Sequence, residues 1–245
     1  MQNESIGGIP MMRNLVIVAL MLLMQACSAQ KPYSFNLADF LSAKELPYDS
    51  PPQVIYRIDD HRFVTLERYR DCYHGETFYN DTKTGIRRKL GRGTVENFQG
   101  RIVNADPTGM NLVFPSAVAP YTVCGDRGCN PVMAYSTDGG NTFHGMVYAR
   151  NIYKPFEDSK KYTVTATKDA MYVSEKPMKT SDYLIVTRYT LVPGFVYGAG
   201  AKLPSGWRIE YGVPLPENAR TPSAQDRITC DASIKPTNPN APLVR

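Results

Sequence analysis

From Gln53 onward the chain breaks into short runs of alternating or continuous apolar residues, separated by clusters of Gly, Pro, Asn and Asp. The runs are QVIYRI, RFVTLERY, ETFYND, GIRRKL, RIVNAD, MNLVFP, VMAYS, FHGMVYA, YTVTAT, AMYVSE and YLIVTRYTL, all rich in Val, Ile, Thr, Tyr and Phe. That length, composition and punctuation predict β-strands. Tyr162, Val164 and Ala166 alternate with Thr163, Thr165 and Thr167, a period of two that places one set on each face of a sheet. No long stretch keeps the helical period. An all-β, mostly antiparallel domain follows, expected over residues 53–232.

Turn-then-strand units recur at NDTKTGI, DPTGMNLVF, STDGGNTF and TKDAMYV. Their aspartates, Asp81, Asp106, Asp138 and Asp169, are 25, 32 and 31 residues apart. A propeller blade repeats at about 40–45 residues, so the spacing suits successive hairpins. The expected fold is β-propeller-like or a β-meander, with a two-sheet β-sandwich as the alternative. The unit YSTDGGNTF also fits the Asp-box of sialidases and other propeller proteins, through Ser136, Asp138, Gly140, Thr142 and Phe143. As local chemistry it is a hairpin turn. Asp138 accepts from following N–H groups, the glycines take positive φ, and Phe143 tucks its ring beneath. The pattern leaves a glycan-binding or sialidase-like module as an alternative function.

The N-terminal segment is of another kind. Arg13 precedes an apolar run, Leu15 to Met24, too short for a comfortable membrane span and suited to a signal-peptide core. Leu23-Met24-Gln25-Ala26-Cys27 resembles a bacterial lipobox, with Cys27 as the lipidation site and residues 1–26 as a lipoprotein-type signal peptide. The alternative is ordinary cleavage after Ala26 or Ala29. Residues 1–10 read as an upstream extension, since Met11 or Met12 begins a normal signal sequence. Ser28 after the cysteine, where no Asp signals retention, implies the periplasmic face of the outer membrane. Residues 27–52 then form a tether, with a short helix expected in NLADFLSAKEL capped by Asn36. A flexible stretch of that length reaches roughly 25–30 Å. Residues 233–245 are expected to be an extended tail.

Of the five cysteines, removing Cys27 leaves Cys72, Cys124, Cys129 and Cys230 for an oxidising compartment. Three pairings are possible. The economical one joins Cys124 to Cys129 across GDRG and Cys72 to Cys230. Cys-x4-Cys with no following His pair does not suit zinc.

Charge adds little. The net charge is +5, and residues 1–26 carry Arg13 and Glu4, so their removal leaves it unchanged. Apart from Arg87-Arg88-Lys89 with Arg92, and Lys160-Lys161, the charges are scattered. In the periplasm these are solvated faces, or contacts to an acidic partner or to lipid head groups, and nucleic acid is not a partner.

Catalytic chemistry is hard to find. There are three histidines, His61, His74 and His144. No Gly-x-Ser-x-Gly elbow, His-Glu-x-x-His or Gly-rich phosphate loop occurs. Asp59-Asp60-His61 is explained by a turn at a strand end. No catalytic residue, metal or cofactor is expected. What remains is a stapled β-scaffold displaying loops, either a binding module or an envelope scaffold lipoprotein.

The stretches VIYRIDDHRFVTLERYRDCYHGETFYNDTKTGIRRKLG, DPTGMNLVFP, CGDRGCNPVMAYSTDGGNTF and QDRITCDASIKPTNP resemble the immunity lipoproteins paired with type VI secretion phospholipase effectors. The resemblance runs from about Val54 to Pro239 and is thinnest over 195–222. It implies a non-catalytic protein that binds its cognate lipase in the periplasm and protects the producer from lysis. It transfers no catalytic or contact residues. An interface of that kind buries about 1,200–2,000 Å² around a few aromatic and Arg anchors. The candidates are Arg127 in the small disulfide ring, Tyr121 before it, Tyr153 and Phe156 after the Asp-box hairpin, and Trp207, the single tryptophan.

Overall fold

A computed structural model describes residues 44–45, 48–90, 94–178, 180, 183–193, 195, 202, 204–238 and 243–244. The expected signal peptide, Cys27 and nearly all of the tether lie outside the described residues. The chain divides into two compact units, Met1–Glu45 with Leu243–Arg245, and Leu46–Pro242. In the first, strand β1 (Lys44–Glu45) pairs antiparallel with β14 (Leu243–Val244). Those two residues lie near the end of the segment where a tether helix was expected, and they are strand. The rest of that segment lies outside the described residues.

The second unit is all-β. Every run picked out by its apolar pattern is a strand. The first sheet is a meander of β2 (Gln53–Arg57), β3 (Arg62–Asp71), β4 (His74–Asp81) and β5 (Ile86–Lys89). The second is a meander of β7 (Leu112–Pro115), β8 (Val132–Ser136) and β9 (His144–Val147). The third runs in the order β13-β12-β11-β10-β6, with β6 (Arg101–Asn104), β10 (Tyr162–Ala166), β11 (Ala170–Glu175), β12 (Ile185–Thr190) and β13 (Ile209–Tyr211). Successive hairpins in three sheets, not two packed sheets, organise the chain. One pair departs from the antiparallel rule. β6 lies parallel to β10, from Arg101↔Thr163 to Asn104↔Ala166. Parallel neighbours need a long crossover, and here the whole second sheet and the one-turn helix α1 (Pro155–Asp158) form it.

β13 falls in the stretch that reads as loop. It is held by β12 in the register Arg188↔Glu210, where the Arg188 guanidinium also bonds the Glu210 and Asp169 carboxylates. A three-residue strand among Gly and Pro has no local signal strong enough to separate it from a loop.

The core is unusually rich in tyrosine: Tyr56, Tyr69, Tyr79 and Tyr135 are fully buried beside Ile55, Leu66, Phe98, Ile102 and Phe114. A buried phenol needs a hydrogen-bond partner. Tyr69 donates to the Pro51 carbonyl at 2.8 Å, and Tyr148 to the Ser116 carbonyl at 2.8 Å. Tyr56 donates to the Ile102 carbonyl at 3.0 Å and lies 2.9 Å from the Thr221 hydroxyl. Burial pushes its phenol up to about 12, so it remains neutral.

Asn104 completes this hub. Its amide donates to the Val113 carbonyl at 3.1 Å and accepts from the Val113 N–H at 2.8 Å. Tyr56, Asn104 and Val113 sit on β2, β6 and β7, one from each sheet.

The C-terminal segment closes the fold without becoming a strand. Thr229 donates to the Ile55 carbonyl, Ser223 to Ile58, and Ile102 to the Asp226 carbonyl. The Gln225 side chain substitutes for a peptide group, accepting from the Arg57 N–H at 2.8 Å and donating to the Ile55 carbonyl at 3.0 Å. The segment therefore bonds to the free edges of both β2 and β6. The Cys72–Cys230 disulfide fixes it to the β3–β4 turn across 158 residues of sequence. In the chain-entropy model a loop of that size contributes about 5 kcal/mol.

Glu96, in the 3-10 turn Val95–Asn97, is an ionisable group taken almost wholly out of water, 3 % exposed. Burial pushes its carboxyl up to about 7, although the Glu96 and Gly75 N–H groups favour the ionised form.

Two outcomes follow. Asn104→Ala strands both Val113 backbone groups and should cost about 2–4 kcal/mol in urea unfolding; a loss within 0.5 kcal/mol, on the order of a surface substitution, would contradict the hub. For Glu96 the unfolded carboxyl releases its proton near 4.5 and the folded one near 7. Its contribution is therefore fully present below pH 4.5 and lost as pH rises through about 7, a change of about 3 kcal/mol. The stability difference between wild type and Glu96→Gln should move by that amount in favour of the variant between pH 4.5 and 8. A difference that stays flat with pH is incompatible with a buried, ionising Glu96.

Candidate partner-binding site

The segment between β7 and β8 is built to stand clear of the core. Cys124 and Cys129 are disulfide-bonded, closing a ring whose turn is the Gly128 N–H to Gly125 carbonyl bond at 2.8 Å. Cys129 exchanges two backbone bonds with Ile152. Gly128 has φ +73 and lies so near the Asn151 backbone that a Cβ would fall 2.7 Å from its carbonyl carbon. The ring is thereby held against the 151–152 segment, and Tyr153 donates from its hydroxyl to the Asp126 carbonyl at 3.1 Å.

α1 follows directly. Pro155 occupies its first turn, where a missing N–H costs nothing. Phe156 packs edge-on to Tyr73 with ring centroids 5.6 Å apart.

Between ring and helix lies a cleft of about 430 Å³, lined by Ala119, Tyr121, Val123, Cys124, Tyr153 and Phe156, among others. Its rim is apolar and in water. Tyr121 is 99 % exposed, Val123 91 % and Tyr153 63 %. Tyr121 is held at φ +65, a left-handed conformation uncommon for a bulky side chain, next to the turn from Thr122 N–H to the Ala119 carbonyl.

The structure thus gathers Tyr121, Tyr153 and Phe156 on one cleft, with Arg127 exposed on the adjoining ring. Trp207 is not among the cleft's residues. It is half-buried and packs against the core. Val123 and Pro155 also belong to the cleft, without a signal in the sequence that marks them. An apolar residue directly before a cysteine reads as core unless the small ring is known to project.

The Asp138 turn is engaged with itself. Asp138 accepts from the Thr142 N–H at 2.9 Å, the Thr142 hydroxyl at 2.6 Å and the Ser136 hydroxyl at 2.8 Å. Burial raises its carboxyl, and these bonds more than offset that, leaving it below the usual carboxylate range. Gly140, at φ +87, rests on the Tyr79 ring, where a Cβ would meet Cε1 at 2.2 Å. Phe143 packs against Tyr79 and Phe114.

A second cleft of about 420 Å³ opens beside this turn, between the ends of β5 and β9. Leu90, Phe114 and Met133 lie within it, and Arg88 and His144 along it. Arg88 bonds the Asn141 and Arg87 carbonyls.

Several other acidic and basic groups pair locally. Arg62 binds Asp59, Arg68 and Lys89 bind Glu76, Arg87 binds Glu67, and Arg101 binds Asp226. His61 Nδ1 lies 2.8 Å from Asp81 Oδ1. Asp59 accepts from the His61 and Arg62 N–H groups, so the Asp59-Asp60-His61 run is a strand-end turn. These arginines are spread over separate ion pairs instead of converging on one carboxylate-sized site.

Among known proteins, no curated relative matches the chain. A family model described as T6SS Tli3 immunity protein matches residues 48–175, from just before β2 to the end of β11. The chain belongs to the T6SS Tli3 immunity protein family.

Proposed function

We propose that this immunity protein binds and neutralises a cognate type VI secretion phospholipase effector in the periplasm. It acts by stoichiometric cover, setting the rim of Tyr121, Val123 and Tyr153 over the lipase's active-site mouth or against its lid. The observation that carries the reading is that rim. Three large apolar side chains stand in water, Tyr121 and Val123 on the loop entering the disulfide ring and Tyr153 on the segment held to that ring by two backbone bonds and its own hydroxyl. Exposed apolar groups on a pre-ordered loop lose little entropy on binding and supply the aromatic anchors that dominate interfaces. Arg127, on the adjoining ring, offers a planar donor fork to an acidic rim on the effector.

The same reading includes acylation at Cys27 and anchoring to the inner leaflet of the outer membrane. It rests on the lipobox-like sequence and on the two disulfides, which suit an oxidising compartment. Anchoring would concentrate the inhibitor at the surface its target attacks. Membership of an immunity family accords with a role that needs no catalysis.

The test is titration of the purified β-domain into its cognate phospholipase. A tight 1:1 complex with lost hydrolysis is expected. Tyr121→Ala and Tyr153→Ala should each weaken binding about 10–30-fold with unchanged unfolding midpoints, corresponding to about 1.5–2 kcal/mol. Arg88→Ala, at the other cleft, should bind as wild type. Absence of a complex at micromolar concentrations would sink the inhibition itself. Full affinity in both tyrosine variants would place the interface elsewhere.

A further inference from the structure

Beside the Cys72–Cys230 disulfide is a cavity of about 300 Å³, lined by Asp71, Tyr73, Glu96, Gln99, Ile234 and Lys235, among others. One of these residues, Glu96, has a carboxyl group that the fold leaves incomplete. Glu96 is 97 % buried, and its Oε1 accepts no hydrogen bond from any described residue. The Gly75 and Glu96 N–H groups favour its ionised form, and no positively charged side chain pairs with it among the described residues. A buried anion without a counter-charge is costly. The neighbouring charges do not relieve it. Asp71 is a second carboxylate and opposes ionisation of Glu96. Asp71 is itself engaged by Arg70, His74 and the Tyr73 N–H. Lys235 stands exposed at the wall and makes no ion pair among the described residues.

Two carboxylates, an aromatic residue and a side-chain amide around a space of this size suit an organic cation. A divalent metal fits less well, because no group of three or more His, Cys, Asp or Glu gathers among the described residues. We propose that this cavity is a receptor for an alkylammonium or guanidinium group, with Glu96 as its buried counter-charge and Asp71 as the outer carboxylate. A Lys or Arg side chain of a partner protein carries that group. The assignment does not depend on which effector the chain neutralises.

The linkage has a sign. Only ionised Glu96 attracts the cation, so occupancy weakens as pH falls through about 7. Reciprocally, a bound cation lowers the pH at which Glu96 titrates. Tyr73, Asp71 with its partners Arg70 and His74, and Lys235 are the titratable groups around it. Of these, only Asp71 registers on the Glu96 carboxyl.

The experiment follows the Glu96 carboxyl carbon by NMR in glutamate-labelled protein between pH 5 and 9. The probes are n-butylammonium and n-butylguanidinium, with n-butanol as the uncharged control. Saturating cation should lower the Glu96 midpoint by about one pH unit or more, and butanol should leave it in place. Glu96→Gln should weaken probe binding at least about tenfold at pH 8. Should that variant not fold, Asp71→Asn should weaken binding several-fold and serves in its place. A midpoint indifferent to both cations overturns the proposal, leaving a hydrated carboxyl. So does a Lys235→Met variant that alone binds the probes and whose Glu96 midpoint is raised, since Lys235 would then be the native occupant.

Discussion

The side chain of Asn104 bonds both backbone groups of Val113, and the Tyr56 phenol beside it bonds the Ile102 carbonyl and the Thr221 hydroxyl. Through these few atoms the three sheets of the β-domain meet. None of the three closes on itself, so each has free edges to satisfy. A purely apolar junction would bury area but would leave the unpaired groups of β6 and β7 without partners. An asparagine presents a donor and an acceptor at peptide-like spacing, which lets it finish a strand edge from the side. The cost of such a hub is that every member must be in place, and that requirement fixes how β2, β6 and β7 are arranged.

The C-terminal segment extends the same principle. Gln225, Thr229, Ser223 and Thr221 bond the open edges of β2 and β6 with a mixture of side-chain and backbone groups. The segment is a seam, not a strand, and the Cys72–Cys230 disulfide prevents it from peeling away. It also forms one wall of the cavity that contains Glu96, so the seam and the buried carboxyl are parts of one construction. The second disulfide does different work. Its ring is too small to organise the core, and it stiffens a loop that stands out from it. On the proposed reading, a pre-formed apolar rim beside a fixed ring would meet a partner with little ordering cost. The Asp138 turn contributes from beneath. Its hydrogen bonds are satisfied internally, and it supports Phe143 against Tyr79 and Phe114, setting the end of the second sheet.

Much of this was legible along the chain. The strands β2 to β12 follow from apolar runs and turn residues, because a strand's alternation and its bounding Gly, Pro, Asn and Asp are local properties. The pairing of the four cysteines was one of three arrangements, and the structure shows the economical one. Three of the five candidate contact residues, Tyr121, Tyr153 and Phe156, do share a cleft, because polar-flanked aromatics around a small disulfide ring have few places to hide. Trp207 illustrates the limit. A lone tryptophan is equally at home in an interface or against a core, and only its neighbours decide.

Sequence alone thus determined the fold class, the turns and which four cysteines are available as staples, all of which depend on residues near one another or on bonding chemistry specific to cysteine. Tertiary structure decided the rest: the parallel β6–β10 pair, the β13 edge, the role of Asn104 and Gln225 as stand-ins for backbone, and the burial of Glu96. Each of these depends on what lies opposite a residue after the chain has crossed from one sheet to another. A polar side chain carries no mark of whether its future neighbour will be water or an unpaired peptide group.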